Sequence, residues 1–199
     1  MTRRELLAAA GGLLALAAGF WPRRAAAARL RPPGALPPGA FERACIRCFR
    51  CAEVCPPRAI RFDSALDPRA SDTPWIDAAD RACILCMKCT DVCPTGALLP
   101  IPPDRATVHA RVHMGTPVLY TTRCIPWSGR GVCRLCYYAC PFPDDAIKLA
   151  GARQRPVFRA TACVGCGLCE EACPSDVRAI HIAPLPAPAP PPPATPERA

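Results

Sequence analysis

Four cysteine clusters constrain this chain more than any other feature. Cys163, Cys166, Cys169 and Cys173 follow a C-x₂-C-x₂-C-x₃-C-P register closed by Pro174. The same register recurs at Cys45, Cys48, Cys51, Cys55-Pro56 and at Cys83, Cys86, Cys89, Cys93-Pro94. A fourth copy, Cys124, Cys133, Cys136, Cys140-Pro141, has eight residues in its first gap. Three thiolates at this spacing wrap one side of a [4Fe-4S] cubane. The fourth, followed by proline, points away and ligates a neighbouring cluster. Together the copies use all 16 cysteines, which predicts four [4Fe-4S] clusters with four ligands each.

Two other uses of cysteine fit less well. A disulfide scaffold needs no such register, and thiols this closely spaced would have to reach past one another to pair. A structural zinc module takes four cysteines per ion, but as two separated C-x₂-C knuckles rather than three cysteines in a run. The net charge of +9 suggests nucleic acid at first sight. Setting aside residues 1–28 leaves 21 basic against 15 acidic residues. An oxidised cluster with its four thiolates carries about −2, so the loaded protein comes out slightly negative. No arginine run interleaves with stacking aromatics, and no nucleic-acid partner is expected.

The chain divides into four stretches. Residues 1–28 carry Arg3-Arg4, the apolar stretch Leu6–Phe20 and small residues at Ala25–Ala28, the parts of an export signal. The Thr2-Arg3-Arg4-x-Leu6-Leu7 pattern resembles a twin-arginine signal, a route that carries proteins already folded around their cofactors. Left uncleaved, this segment would tether the protein peripherally to a membrane. Residues 29–40 are a proline- and glycine-rich linker with no periodicity, and residues 184–199 a proline-rich, disordered tail.

Between them, residues 41–183 repeat with a period of about 40 residues. Each unit is a cysteine motif, a proline, a turn and a brief apolar strand: Ala59–Phe62, Ala97–Leu99, Ala146–Leu149 and Ala179–Ile182. Strand-like runs also precede three of the motifs, at Trp75-Ile76, Val118–Tyr120 and Val157-Phe158. Strand, cluster loop, short helix, strand is half of a two-cluster ferredoxin. The expected fold is therefore loop-rich α+β, two ferredoxin-like two-cluster domains with short strands and helices. Large apolar side chains are few, so ligation must supply much of the folding free energy.

The third motif carries a more specific resemblance. His113-Met-Gly-Thr-Pro-Val-Leu-Tyr120 leads to Cys124, and Gly131-Val-Cys-Arg-Leu-Cys-Tyr-Tyr-Ala-Cys140-Pro141 follows. These segments, with the signal and four motifs, resemble the NapG/MauM type of ferredoxin-type protein over residues 2–183. The resemblance implies a periplasmic, non-catalytic relay from a membrane quinol-oxidising iron–sulfur partner to a periplasmic reductase or dehydrogenase. It also implies kinship with the four-cluster beta subunits of molybdenum oxidoreductases, so an electron-transfer subunit of such an enzyme or of a hydrogenase is the alternative. In those subunits the motifs pair in nested fashion. Carried over, Cys45, Cys48 and Cys51 would take Cys173 as fourth ligand, and Cys163, Cys166 and Cys169 would take Cys55. Cys83, Cys86 and Cys89 would take Cys140, and Cys124, Cys133 and Cys136 would take Cys93. The 22 residues between Cys140 and Cys163 are the shortest link between motifs, which suits a sequential pairing instead.

No catalytic residues are expected. The sequence has no C-x-x-C-H haem site and no glycine-rich nucleotide fingerprint. Arg47, Arg50 and Lys88 beside the first two motifs should favour their reduced clusters; Glu170 and Glu171 in the fourth should disfavour its own. His109 and His113 fall in what reads as an extended link and, with His181, are not expected to bind metal. Phe49, Trp75, Trp127, Tyr137 and Tyr138 are expected to pack around the clusters and exclude water.

Overall fold

The computed structural model describes residues 29–62 and 72–185; the signal segment and the tail from residue 186 lie outside the described residues. Among the described residues six short α-helices and six short strands hold the cysteine loops. The helices are Ala40–Ala44 (α1), Arg50–Glu53 (α2), Lys88–Asp91 (α3), Arg105–Arg111 (α4), Leu135–Ala139 (α5) and Leu168–Glu171 (α6). The strands are Ile60–Arg61 (β1), Trp75–Ile76 (β2), Gly115–Leu119 (β3), Ile147–Ala150 (β4), Arg155–Phe158 (β5) and Ile180–Pro184 (β6). Helices α2, α3, α5 and α6 each carry the third cysteine of a motif on a single turn. This is loop-rich α+β architecture.

Strand pairing links the motifs two by two. β1, leaving the first motif, pairs antiparallel with β2, which leads into the second. β4, leaving the third, pairs with β5, which leads into the fourth. β6 returns from the fourth motif to pair with β3 before the third, Leu119 opposite Ile180. The symmetry requires a fourth pair, and it is present in reduced form. Leu98, just after the second motif, bridges Ala35; the Leu36 N–H donates to the Ala97 carbonyl (3.0 Å) and the Leu99 N–H to that of Gly34 (2.7 Å).

The segment read as a linker is thus the incoming arm of the first motif. Leu30, Pro32 and Pro33 are buried. The Arg31 guanidinium donates to Thr73 Oγ1 (2.8 Å), to the Pro74 carbonyl (2.9 Å) and to Glu42 (2.7 Å). Prolines obscure such an arm in sequence, because they break the alternation by which strands are recognised. Helix α4 is a second departure from expectation, since its residues had read as an extended link. Asp104 caps it by accepting from the Thr107 N–H (2.9 Å).

One buried core runs through both halves and is rich in small residues, among them Ala59, Ala78, Ala97 and Ala146. Phe41, Met87, Leu98, Ile147 and Ile182 are its largest fully buried side chains. The halves meet where the second motif faces the fourth. There the Cys83 N–H donates to the Cys166 carbonyl (2.9 Å) and the Ala82 N–H to Glu171 (3.0 Å). Arg178 reaches across to the Ala79 carbonyl (3.1 Å). Among the described residues no helix is long and apolar enough to cross a membrane.

Candidate metal centres

Each cysteine loop is shaped by its backbone. In the first, second and fourth motifs two residues adopt left-handed conformations: Arg47 and Phe49, Leu85 and Met87, Gly165 and Gly167. Alternating hand along a loop turns successive N–H groups inward, forming a concavity that suits an anion. The Leu85 and Gly165 N–H groups donate to the sulfurs of Cys83 and Cys163 at 3.4 Å. Phe49, Met87 and Gly167 also start the helical turns that carry Cys51, Cys89 and Cys169. The third motif is built differently. Arg134 stands where those residues stand, with φ −134°, and the longer first gap places Cys124 instead.

After the fourth cysteine of the first, second and fourth motifs the proline bends the chain so that the next arm returns an N–H to the sulfur. Ala59 donates to Cys55, Leu98 to Cys93 and Ala179 to Cys173, each at 3.4 Å. Such bonds favour a thiolate over a thiol.

The loops bring the 16 cysteines into four sets of four. A first cavity is lined by Cys45, Cys48 and Cys51 together with Cys93. A second is lined by Cys83, Cys86 and Cys89 with Cys55. A third holds Cys124, Cys133 and Cys136 with Cys173. In the fourth set Cys163, Cys166 and Cys169 lie within mutual electrostatic reach of Cys140. The motifs therefore exchange fourth cysteines first with second and third with fourth. This corrects the nested arrangement carried over from the beta subunits, in which Cys173 completes the first set and Cys55 the fourth. The physical cause is the pairing of β1 with β2 and of β4 with β5, which folds each motif onto its immediate neighbour in sequence.

All sixteen thiols are free of disulfides. Four sulfurs bound tetrahedrally to one zinc lie about 3.8 Å apart, from a Zn–S bond of about 2.3 Å. Among the described residues no three His, Cys, Asp or Glu side chains converge closely enough to hold one ion. Three sulfurs of one motif and one of its neighbour about a shared space suit a polynuclear cluster rather than a single ion. The cavities are lined mainly by sulfur and apolar groups, with Arg47, Arg50 and Thr95 beside the first and Ser175 beside the third, surroundings that suit an anionic cluster.

Electrostatics reflect the crowding of the thiols in each cage. Burial first, then repulsion from Cys45 and Cys48, pushes the Cys51 thiol up to about 11. Burial with repulsion from Cys86, Cys51 and Cys55 takes Cys89 to about 12. Cys136 also reaches about 12, through burial and its neighbours Cys133 and Cys124. Cys93 goes the other way, because N–H donation from Leu98 and Thr95 outweighs its burial. Most of these groups hold protons at neutral pH unless a metal displaces them, so loading releases protons and acid opposes it.

Comparison with known proteins groups the motifs in the same two pairs. The 4Fe-4S dicluster domain family matches residues 44–97 and 130–177, one match spanning the first two motifs and the other most of the last two. The methylamine utilization ferredoxin-type protein MauM of Methylobacillus flagellatus is 36% identical, across 92% of this chain and 80% of its own length. The ferredoxin-type protein NapG of Escherichia coli is 36% identical, across 92% of this chain and 84% of its own. MauM of Methylophilus methylotrophus is 37% identical, across 82% and 74%. The chain belongs to the NapG/MauM ferredoxin-type family. Two dicluster domains give this NapG/MauM-type protein four [4Fe-4S] clusters, and its activity is electron transfer. Cys124 lies outside the second match, and it is the structure that sets it beside Cys133, Cys136 and Cys173.

Several residues have roles the sequence did not reveal. Glu170, expected to act on cluster potential, is 3% exposed. It accepts from the Ile182 N–H (2.7 Å) and contacts His181 Nδ1 (3.1 Å), anchoring β6 to α6. Glu171 ties the two halves together through Ala82. His109 stacks on Phe142, ring centroids 4.4 Å apart, with its Nε2 3.0 Å from the Ala162 carbonyl. Of the aromatics, Phe49 and Tyr138 are half or more exposed rather than enclosed. Trp127 donates to the Pro156 carbonyl (3.0 Å), and the Tyr137 hydroxyl to Asp144 (2.8 Å).

Gly165 of the fourth motif is held against β3. Its φ is +72°, and a Cβ there would overlap the backbone of Gly115 in β3. Gly165→Ala is expected to destabilise the protein by about 2–4 kcal/mol, from the left-handed conformation and the overlap together. Thermal denaturation of the loaded protein, read at the visible absorption, checks this. Gly96→Ala, also at positive φ but in open space, should cost distinctly less.

Proposed function

We propose that this protein is a non-catalytic relay of single electrons in which all sixteen cysteines are cluster ligands, distributed as the four cross-motif sets within two ferredoxin-like two-cluster domains. The observation that carries this reading is the grouping itself: three thiols of one motif and the fourth of its neighbour around each cavity. When bound, a [4Fe-4S] cluster supplies one-electron chemistry. The chain's own residues hold the clusters, turn N–H groups toward the sulfurs and keep water out, and no acid, base or nucleophile is required.

The protein works in the periplasm, exported by the twin-arginine route through Arg3 and Arg4. It takes electrons from a membrane quinol-oxidising iron–sulfur protein and passes them to a periplasmic reductase or dehydrogenase. This part rests on the sequence of residues 1–28 and on membership in the NapG/MauM family. An anaerobic reductive titration followed by EPR tests the relay. One electron per cluster, taken up without any substrate, is expected; uptake well short of one per cluster would refute the assignment of four redox-active sites.

A further inference from the structure

Each of the four cysteine sets touches specific neighbours. Within the first half Cys51 and Cys89, the third cysteines of the two motifs, sit on the packed helices α2 and α3. Within the second half Cys136 and Cys169 likewise sit on the packed helices α5 and α6. Between the halves the contact is made by the second and fourth sets, where the Cys83 N–H donates to the Cys166 carbonyl at 2.9 Å. Gly167 lies against Ala78 at the same seam, so closely that a Cβ would overlap it.

Exposure follows the same order. The loop of the first motif is exposed throughout residues 46–50, with Ile46 at 61% and Phe49 at 50%. The third motif exposes Val132 at 56% and Leu135 at 48%. Residues 164–167 of the fourth are buried, and the second exposes Ile84 and Lys88 singly around a buried Met87.

We propose that the cages form one unbranched conduction path in the spatial order first, second, fourth, third, with the Cys83–Cys166 contact as its single crossing between halves. The sequence order of the motifs is thus not the order of travel. The outer positions belong to the first and third cages, whose loops face solvent and are reachable by the one-electron centres of partner proteins. A donor centre is oxidised as one outer cage's cluster is reduced. Each further transfer oxidises one cluster and reduces the next, until an acceptor centre is reduced at the far end. No bond is made or broken. The peptide hydrogen bond at the seam provides a short covalent and hydrogen-bonded route between the two inner ligands.

The order rests on the ligand sets proposed above, and the test separates the two. Magnetic coupling between reduced clusters reports which are neighbours. It is read by EPR on dithionite-reduced full-length protein carrying Cys48→Ser, Cys86→Ser, Cys133→Ser or Cys166→Ser, one in each cage. Loss of the second cluster in Cys86→Ser should leave one uncoupled cluster and one coupled pair, and Cys166→Ser should do the same. Loss of an outer cluster, in Cys48→Ser or Cys133→Ser, should leave three clusters still coupled in series. Where serine oxygen retains the cluster, its altered g-values label that cluster, which should show two coupled neighbours if inner and one if outer. Should the inner variants not fold, the outer pair decides. An outer cluster coupled to two others, or one whose loss isolates another, would overturn the order. Additive iron losses in the double variant Cys55→Ser, Cys86→Ser, set against the single variants, would instead refute the ligand sets.

Discussion

Removing iron from the anaerobically purified protein is expected to unfold it. The secondary structure is made of pieces too short to stand alone. β1 and β2 are two residues each, and α2, α3 and α6 four residues each. One turn of helix costs more to nucleate than it returns. Four non-glycine residues in the first two cysteine loops, Arg47, Phe49, Leu85 and Met87, sit at positive φ, each costing roughly 1 kcal/mol or more. The core that would have to offset this contains many alanines, and several of its buried groups are the thiols themselves. Ligation in other small metal-nucleated domains supplies on the order of 10 kcal/mol, enough to reverse that balance. Chelation under reducing conditions should therefore abolish most far-UV circular dichroism and the cooperative melting transition together. An apo-protein whose spectrum superimposes on the native one would show that the polypeptide core suffices.

Exchange of fourth cysteines between neighbouring motifs makes an equally large effect measurable. Cys55 lies in the first motif by sequence but lines the cavity of Cys83, Cys86 and Cys89. The double variant Cys55→Ser, Cys86→Ser should therefore lose one cluster, the same one that Cys86→Ser alone loses. If Cys55 served its own motif, or the fourth as in the nested arrangement, the pair would damage two. Cys93→Ser with Cys48→Ser offers the same comparison at the first cavity. Iron per polypeptide, set against the single variants, reads the result: additive losses would contradict the exchange, and non-additive losses are expected.

The sequence specified ligand identity more completely than ligand partnership, for a physical reason. The C-x₂-C-x₂-C spacing fixes three sulfurs around one centre, because the loop between them is too short to do otherwise. The proline after the fourth cysteine says only that this sulfur leaves its own centre. Which neighbour receives it depends on strand pairs such as Ile60 with Ile76 and Ile147 with Phe158, contacts between segments that local spacing does not encode. The incoming arm at Gly34–Leu36 was hidden for a related reason: its prolines erase alternation, and only the hydrogen bonds to Ala97 and Leu99 reveal it. Helix α4 did leave a signal, Asp104 ahead of a helix-compatible run, which the flanking prolines and histidines masked. The two glutamates of the fourth motif read as charges on a cluster. The buried carboxylate of Glu170 and the backbone contact of Glu171 are tertiary facts. Gly165 and Gly167 marked the left-handed positions of their loop plainly, whereas Arg47, Phe49, Leu85 and Met87 occupy the equivalent conformations without any such mark.

Metal analysis of anaerobically isolated full-length protein tests the central claim most directly. The account predicts one iron and one acid-labile sulfide for each of the 16 cysteines, with negligible zinc and a brown chromophore that bleaches on reduction. Colourless protein carrying one zinc for every four cysteines would contradict it.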